Sequence, residues 1–195
     1  MTRRLPTIHG IVTVCAAATG QPLCQLDGPV VTGRRTAAVS MVAIHRLLGH
    51  APRQVLLIGT GVQARHHIQA LQDLYPDCTV WVRSRQVATA QALCAEFAEP
   101  GTVRACPAGI PEGVDAVITL TTATEPVYDE PPQASRVVVG VGAFKPEMAE
   151  IGKTTLDGSM QRAAVAAVED QLAAVEARTG YPHQKKADTE FVDPE

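Results

Sequence analysis

The sequence predicts an α/β protein with a Rossmann-like, doubly wound parallel sheet. From Gln54 onward, short apolar strand patterns alternate with helix-length segments, as is typical of a parallel sheet covered by helices on both faces. The first strand pattern passes directly into Gly59-Thr-Gly-Val-Gln-Ala64, a GxGxxA spacing that opens a helix. A buried strand, a tight glycine turn and a helix in that order are the context that this motif requires.

Two strands and a helix are predicted before this unit. Ile8 to Cys15 and Pro22 to Leu26 form strand patterns on either side of turn-forming residues, which predicts a hairpin. After a loop at residues 27–29, Thr32 to Leu48 carries apolar residues at helical spacing, and Gly49 ends the pattern. We therefore expect a linking helix to lead into the alternating unit.

The alternating unit is expected to contain several strands and helices, and a further helix follows it. In chain order they are strand 54–58, helix 62–74, strand 78–83, helix 86–98, and strands 102–106, 114–120 and 136–141. Met160 to Thr179 is alanine-rich with apolar residues three and four apart, which predicts an amphipathic helix before a polar tail. Its apolar stripe fits either packing on a core or pairing with another helix. The expected divisions of the chain are 1–31, 32–50, 51–159 and 160–195.

Composition restricts the class of protein. The 195 residues are 46% hydrophobic and 19% charged with a net charge of −3, which suits one core and at most a partial second unit. Aromatic residues make up only 4% and like charges do not cluster, so nucleic-acid binding is not expected. The five cysteines lack CxxC spacing, which is against a zinc site or a disulfide framework. Without an apolar run of membrane length or a signal-like core, we expect a cytoplasmic protein with no membrane contact.

The glycine motif predicts a dinucleotide site. Gly59 permits the tight turn, Gly61 lets the backbone approach a pyrophosphate, and Ala64 permits close packing of helix on strand. The anion would lie at the helix N-terminus, among the residues between and after the two glycines, which are Thr60, Val62 and Gln63. The alternative is a purely structural turn between strand and helix.

The end of the next strand favours NADP over NAD. An NAD site usually places a carboxylate about 20 residues beyond the glycine motif, where it binds the ribose 2′-OH. Here the strand ends in Arg83, Ser84 and Arg85, whose donors and positive charge suit a 2′-phosphate. NADPH is therefore the expected cofactor, and NAD is the alternative. These arginines also fit a solvated strand end that binds no ligand.

Four segments taken together resemble one protein family. They are Leu5-Pro-Thr-Ile-His-Gly10, Thr32-Gly-Arg-Arg-Thr-Ala-Ala38, Leu57-Ile-Gly-Thr-Gly-Val-Gln-Ala-Arg65 and Val139-Gly-Val-Gly-Ala-Phe-Lys-Pro-Glu-Met-Ala-Glu-Ile151. In this order they resemble the ornithine cyclodeaminase/μ-crystallin family over residues 4–158, and especially its branch that reduces Δ1-pyrroline-2-carboxylate and Δ1-piperideine-2-carboxylate. The resemblance implies a Rossmann domain carrying NAD(P), a second domain that contacts substrate, and a homodimer.

The resemblance also implies roles for individual residues. Arg35 would bind the substrate carboxylate and Thr36 would lie near the cofactor, while Thr7 and His9 would help to orient or protonate the substrate. A planar guanidinium can make two parallel hydrogen bonds to a carboxylate, which suits Arg35 to this role. Without the resemblance, Arg35 reads equally well as a surface residue near a helix N-terminus, and His9 as a structural histidine.

Two further strand ends would complete the cofactor crevice. Thr119 and Thr121 follow the fourth strand of the alternating unit at its carboxyl end, where open sheets bind ligands, and Gly142 belongs to the last motif. The threonines fit turn-capping roles as well.

Ala143 stands where a cyclodeaminase would be expected to carry an acidic residue, so we expect a reductase, with the proton donor not identified.

Three hypotheses follow from these residues. The first is NADPH-dependent reduction of a cyclic imine carboxylate to L-proline or L-pipecolate; the alternatives are a cyclodeaminase-type lyase and a noncatalytic NAD(P)-binding module. In the family, a larger part of the substrate domain precedes the segment that begins at Leu5. We therefore expect residues 1–31 to represent only part of that domain, cofactor binding to be retained, and imine turnover to be weak.

Overall fold

A computed structural model describes residues 9–97, 102–106, 108–145, 147–156 and 177. Contacts divide the chain into two units, Met1–Thr155 and Leu156–Glu195, and the elements below belong to the first. They are β1 (Ile11–Cys15), β2 (Pro22–Asp27), α1 (Gly28–Leu48), β3 (Gln54–Ile58), α2 (Val62–Leu74), β4 (Thr79–Arg83), α3 (Val87–Ala95), β5 (Val103–Ala105), β6 (Ala116–Thr119) and β7 (Val137–Gly140). The predicted helix 160–179 lies outside the described residues, apart from Ala177.

Five strands form a parallel sheet in the order β5-β4-β3-β6-β7, which confirms the predicted α/β class. β3 lies at the centre, pairing with β4 on one side and with β6 on the other, and the order of strands reverses there. Val55 to Ile58 are all buried, because a central strand of a parallel sheet is covered on both faces. The reversal beside β3 places the ligand crevice expected of a doubly wound sheet.

The two faces of the sheet are covered differently. Val55 and Leu57 of β3 pack into a cluster that includes Ile44 of α1, Ile68 of α2 and Leu93 of α3. Leu56 and Ile58 face a second cluster with non-helical residues, Val114, Val117 and Tyr128. Among the described residues, the crossovers on that second face contain no helix, unlike the expected covering by helices on both faces. Prolines lie in both crossovers, and glycines lie in the one before β6; both residue types disfavour helix there.

The first helix begins earlier than predicted, at Gly28 rather than Thr32. The Asp27 carboxylate accepts a hydrogen bond of 2.9 Å from the Val30 backbone N–H, and Pro29 lies in the first turn. The predicted loop at 27–29 is therefore a helix cap followed by a proline that the first turn tolerates. The helix ends as expected at Gly49, whose φ of 75° is the left-handed conformation of a C-cap glycine.

The remaining elements follow the prediction with small differences. β3 and α2 have the predicted bounds, and β2 is one residue longer than predicted, whereas the other strands and α3 are shorter at one or both ends. β1 and β2 form the predicted antiparallel hairpin, and all of their residues are exposed. Among the residues that the structure describes, a helix with the length and hydropathy needed to span a membrane is not found.

Candidate dinucleotide site

The turn after β3 contacts the loop after β6, at the point where the strand order reverses. Gly59 has a φ of 124°, and a Cβ atom there would lie 2.7 Å from the Leu120 carbonyl oxygen. Its N–H donates a 2.9 Å hydrogen bond to the Arg83 carbonyl at the end of β4. Only glycine fits this conformation and this contact, so Gly59 joins the carboxyl ends of three neighbouring strands.

The N-terminus of α2 is open to a ligand. Gly61 is the N-cap residue and has an extended conformation, and no side chain of the described chain caps the helix. A Cβ atom on Gly61 would meet open space, with nothing within 4 Å. The amides of the first turn, around Val62 and Gln63, therefore provide the unpaired donors and positive helix-dipole end that bind phosphate groups. The Gln63 side-chain oxygen is also buried without a hydrogen-bond partner among the described residues.

Thr119 and Thr121, at the end of β6, differ in their surroundings. Thr119 is fully buried, and its hydroxyl has no hydrogen-bond partner in the described part of the chain. The Thr121 hydroxyl instead donates a 2.8 Å hydrogen bond to Oε1 of Glu150. Gly142, after β7, approaches Thr121 so closely that a Cβ atom would lie 1.9 Å from the Thr121 carbonyl oxygen. The structure thus brings Thr121 and Gly142 together, and it directs the Thr121 hydroxyl to a carboxylate.

Glu150 is a residue that sequence reasoning did not single out, although it lies in one of the family-like segments. It is buried, and its carboxylate accepts bonds from the backbone N–H groups of Thr121 and Gly142, each of 2.5 Å. The sequence offered one indication of a special role for Glu150, which is that this carboxylate precedes the apolar Ile151. Its partners could not be found from local spacing, because Thr121 is 29 residues away in the chain.

The three residues expected at a 2′-phosphate lie at or just after the end of β4, the strand beside β3. The Arg83 guanidinium donates to the Gly109 carbonyl and approaches the Cys106 sulfur at 3.4 Å. Ser84 is partly exposed and Arg85 is exposed. Both positive charges are therefore next to the strand that leads into the glycine turn.

Helix α1, which carries Arg35 and Thr36, crosses the first turns of α2. A Cβ atom on Gly33 would lie 2.1 Å from the His66 ring, so the helices touch there. Arg35 is exposed. Thr36 is partly buried and lies in the chain between Gly33, which contacts His66, and Ser40, which forms a buried hydrogen bond. Because Arg35 is two residues from Gly33, about 200° around the helix, it lies on the face of α1 that points away from α2.

The buried contact between the helices joins Ser40 to His67. Nδ1 of His67 donates to the Gln63 carbonyl at 2.7 Å, so Nε2 of the neutral ring accepts from the Ser40 hydroxyl at 2.9 Å. Burial lowers the pKa of His67 below its ordinary value, and this effect exceeds the opposing hydrogen bond to Gln63. The imidazole is therefore a neutral structural link between α1 and the first turn of α2.

The other predicted residues are placed less fully. Thr7 lies outside the described residues. His9 is exposed and precedes Gly10, whose carbonyl accepts a 2.8 Å hydrogen bond from Gly28 at the start of α1. In the described part of the chain, no three His, Cys, Asp or Glu side chains lie close enough to hold a metal ion, and all five cysteines are free thiols.

The chain is similar in sequence to one family of known proteins. The family model described as the ornithine cyclodeaminase/mu-crystallin family matches residues 1–191, a longer range than the residues 4–158 that contain the resembling segments. A Delta(1)-pyrroline-2-carboxylate/Delta(1)-piperideine-2-carboxylate reductase of Azospirillum brasilense is 47% identical over 80% of this chain and 51% of its own length. A Delta(1)-pyrroline-2-carboxylate reductase of Burkholderia ambifaria is 47% identical over 79% of this chain and 50% of its own length. The chain thus spans about half the length of these curated relatives.

A solved structure shares the fold and contains a dinucleotide. The Thermococcus litoralis Delta(1)-pyrroline-2-carboxylate reductase, in complex with NADH and L-proline, superposes with a TM-score of 0.64 and 25% identity. The similarity covers 77% of this chain and 48% of that one. Together with the match of the family model over most of the sequence, these findings show that the chain belongs to the ornithine cyclodeaminase/mu-crystallin family.

Proposed function

We propose that the chain binds NADPH and reduces a cyclic imine carboxylate, Δ1-pyrroline-2-carboxylate or Δ1-piperideine-2-carboxylate, to L-proline or L-pipecolate. The observation that carries this proposal is the open, uncapped N-terminus of α2 beside Gly61, at the point where the sheet reverses its strand order. The two curated relatives at 47% identity are named for reduction of these imines. The proposal therefore rests on a site that fits a dinucleotide and on relatives named for the reaction.

The residues of the crevice fit a nicotinamide dinucleotide. Gly59, Thr60 and Gly61 would form the turn over the pyrophosphate, and Val62 and Gln63 would offer the amides of the first turn of α2. The unpartnered hydroxyl of Thr119 would offer a further polar group at the end of β6. The nicotinamide ring supplies a hydride when the cofactor is bound. The protein's part is to hold the imine and exclude unproductive orientations.

Arg35 is proposed to bind the substrate carboxylate. Its side chain is exposed on the face of α1 opposite to the one that packs on α2, and the family-like Arg-Thr-Ala-Ala segment contains it. Two parallel hydrogen bonds to the carboxylate would fix the plane of the imine relative to the cofactor. Thr36, one residue on, would lie nearer the cofactor, while Thr7 and His9 would add contacts from the N-terminal segment.

NADPH is proposed as the preferred cofactor because the end of β4 is positively charged. Arg83, Ser84 and Arg85 stand where an NAD site usually has a carboxylate. The Thermococcus structure holds NADH, so the preference is a property to be measured on this chain. Two charge-assisted hydrogen bonds to the 2′-phosphate would favour NADPH by roughly 2 to 4 kcal/mol.

Reduction is proposed over ammonia elimination because of the loop after β7. Ala143 is exposed and carries no group that could move protons on a substrate amine. The nearby carboxylate of Glu150 is buried, and both of its oxygens accept hydrogen bonds from the protein. In the described part of the chain, Glu150 therefore serves the loop structure, and the position of Ala143 offers no acidic group for ammonia elimination.

We also propose a cytoplasmic homodimer. Both strands of the β1–β2 hairpin are exposed, and Ile11 and Leu23 have exposed fractions of 71% and 63%. Two-stranded hairpins are marginally stable alone, so a second copy of the chain is proposed to cover these side chains. Light scattering would show a mass of twice 20.6 kDa, and a monomer at all concentrations would contradict the dimer.

The proposed reaction is tested with the purified chain, NADPH and each cyclic imine. We expect NADPH absorbance to fall only when the imine is present. One L-proline or L-pipecolate should form for each NADPH oxidised. Ornithine with NAD is the matched control, and neither ammonia nor proline should form from it. Proline formation from ornithine in the absence of imine turnover would contradict the proposal and favour the lyase.

A further inference from the structure

Glu150 forms a clamp between two loops. Oε1 accepts the Thr121 backbone N–H at 2.5 Å and the Thr121 hydroxyl at 2.8 Å, and Oε2 accepts the Gly142 N–H at 2.5 Å. Only 2% of Glu150 is exposed, and none of these donors is a charged side chain. We call Thr121, Gly142 and Glu150 the β6–β7 clamp. A buried carboxylate is unfavourable unless its hydrogen bonds are made, so the clamp defines a narrow arrangement of the two loops.

The backbone around Glu150 is itself fixed. Its carbonyl accepts hydrogen bonds from the backbone N–H groups of Val127 and Tyr128, at 2.9 and 3.1 Å, and Tyr128 forms a bridge with Ile151. Tyr128 is buried in the apolar cluster on the second face of the sheet. The backbone of Glu150 is therefore fixed to the core through Tyr128, while its carboxylate binds the loops after β6 and β7.

The clamp lies on one side of the glycine turn. The pyrophosphate site is at the end of β3, and the ribose that carries the 2′ group would lie at the end of β4. β6 and β7 lie on the opposite side of β3. A dinucleotide that crosses the reversal point therefore places its adenosine half over β4 and its nicotinamide half over the strand ends that the clamp joins.

We propose that Glu150 is a positioning residue for the nicotinamide half of the cofactor, which it serves by fixing the separation of the Thr121 and Gly142 loops. This inference rests on the proposed function only in requiring that a nicotinamide dinucleotide binds. It requires no imine turnover. Loss of the carboxylate should then weaken binding of the whole dinucleotide while leaving its adenosine diphosphate ribose part bound.

The test compares Glu150→Gln with Glu147→Gln. The glutamine at 150 keeps the shape of the side chain, but its NH2 group must face one of the N–H donors that the carboxylate accepted. Glu147 is exposed, three residues away, and contacts only Lys145 in the described chain, at 3.9 Å, so it is the matched control. Each variant is titrated with NADPH and with 2′-phospho-ADP-ribose, which lacks the nicotinamide ring.

A selective loss is the expected result. Glu150→Gln should weaken NADPH binding about tenfold or more, the size of losing one charge-assisted hydrogen bond, and weaken the fragment less than about twofold. Glu147→Gln should change neither. Thr121→Val removes one of the three donors, and it should show the same selectivity with a smaller loss. This variant keeps the test available if Glu150→Gln does not fold, as judged by circular dichroism.

Three outcomes would overturn the inference in different ways. Equal weakening of NADPH and the fragment in both folded variants would show that the clamp supports the fold alone. Unchanged binding of both ligands would show that the loops need no clamp. Failure of the parent chain to bind either ligand would instead overturn the proposed function together with this inference.

Discussion

Single residues in this protein have roles that follow from the partners the fold gives them. Thr119 and Thr121 are two residues apart, yet one hydroxyl is buried without a partner in the described chain and the other is held by Glu150. The sequence predicted both at the crevice and could not separate them, because the partner of Thr121 comes from a distant segment. Residue type and strand position locate a candidate side chain, whereas long-range contacts decide what it can still bind.

Replacing Arg35 by lysine should impair imine turnover more than cofactor binding. An ammonium group cannot reproduce two parallel hydrogen bonds to a carboxylate, so kcat/KM should fall by at least about tenfold, equivalent to about 1.4 kcal/mol. NADPH affinity should change less than about twofold. Arg46→Lys, on the last turn of the same helix, is the matched control. Full kcat/KM in the Arg35 variant would remove the role assigned to Arg35.

The cysteines should differ strongly in reactivity. Burial raises the pKa of the Cys78 thiol to about 12, whereas Cys15 and Cys24 are exposed on the hairpin. Since the thiolate is the reactive form, a thiol reagent at neutral pH should label Cys15 and Cys24 first in dilute protein, where the proposed dimer that covers the hairpin is dissociated. Mass spectrometry of timed samples would show the order. Early labelling of Cys78 in folded protein would contradict the burial described for β4 and its neighbours.

Elements differ in how well the sequence predicted them. β3 and α2 have the predicted bounds because a buried apolar run, Gly59 and Gly61 mark the strand end and helix start together. The start of α1 was wrong because Asp27-Gly-Pro29 is also a typical turn sequence, and only the contact of Asp27 with Val30 distinguishes a cap. Local signals therefore predict most elements. The clamp through Glu150 is a contact between segments, which no local pattern contains.

The link between α1 and α2 should make stability depend on pH. Burial lowers the pKa of His67 in the folded chain below its ordinary 6.5, so the unfolded chain binds the proton more readily. The free energy of unfolding should therefore be highest above pH 6.5 and fall as the pH drops from there through the folded pKa. Melting temperatures measured between pH 8 and pH 5 would show this decrease.

A matched pair of variants separates His67 from the other histidines. His67→Gln keeps an amide that can bond Ser40 but does not titrate, so its melting temperature should depend less on pH below 6.5. His45→Gln changes an exposed histidine in the last turn of α1 and should keep the parental dependence. If the melting temperatures of both variants depend on pH as the parent's does, the lowered pKa of His67 does not cause the loss of stability at acid pH.

At the scale of the whole molecule, the described chain is a dinucleotide-type sheet joined to a hairpin. The strand order β5-β4-β3-β6-β7 brings the turn after β3, the charged end of β4 and the clamp after β6 and β7 to one edge. α1 connects the hairpin to the sheet and carries Arg35 on its exposed face. We propose that this edge binds a nicotinamide dinucleotide through the glycine turn.

Calorimetric titration of NADPH into the parent chain and into Gly61→Ala tests that claim most directly. Gly61 has a negative φ and a Cβ atom there meets open space, so the variant should fold with nearly the parental melting temperature. A methyl group would occupy the space through which the backbone approaches the pyrophosphate, so binding should weaken by about tenfold or more. Equal NADPH affinity in the two proteins, or no binding by the folded parent, would contradict dinucleotide binding at the glycine turn.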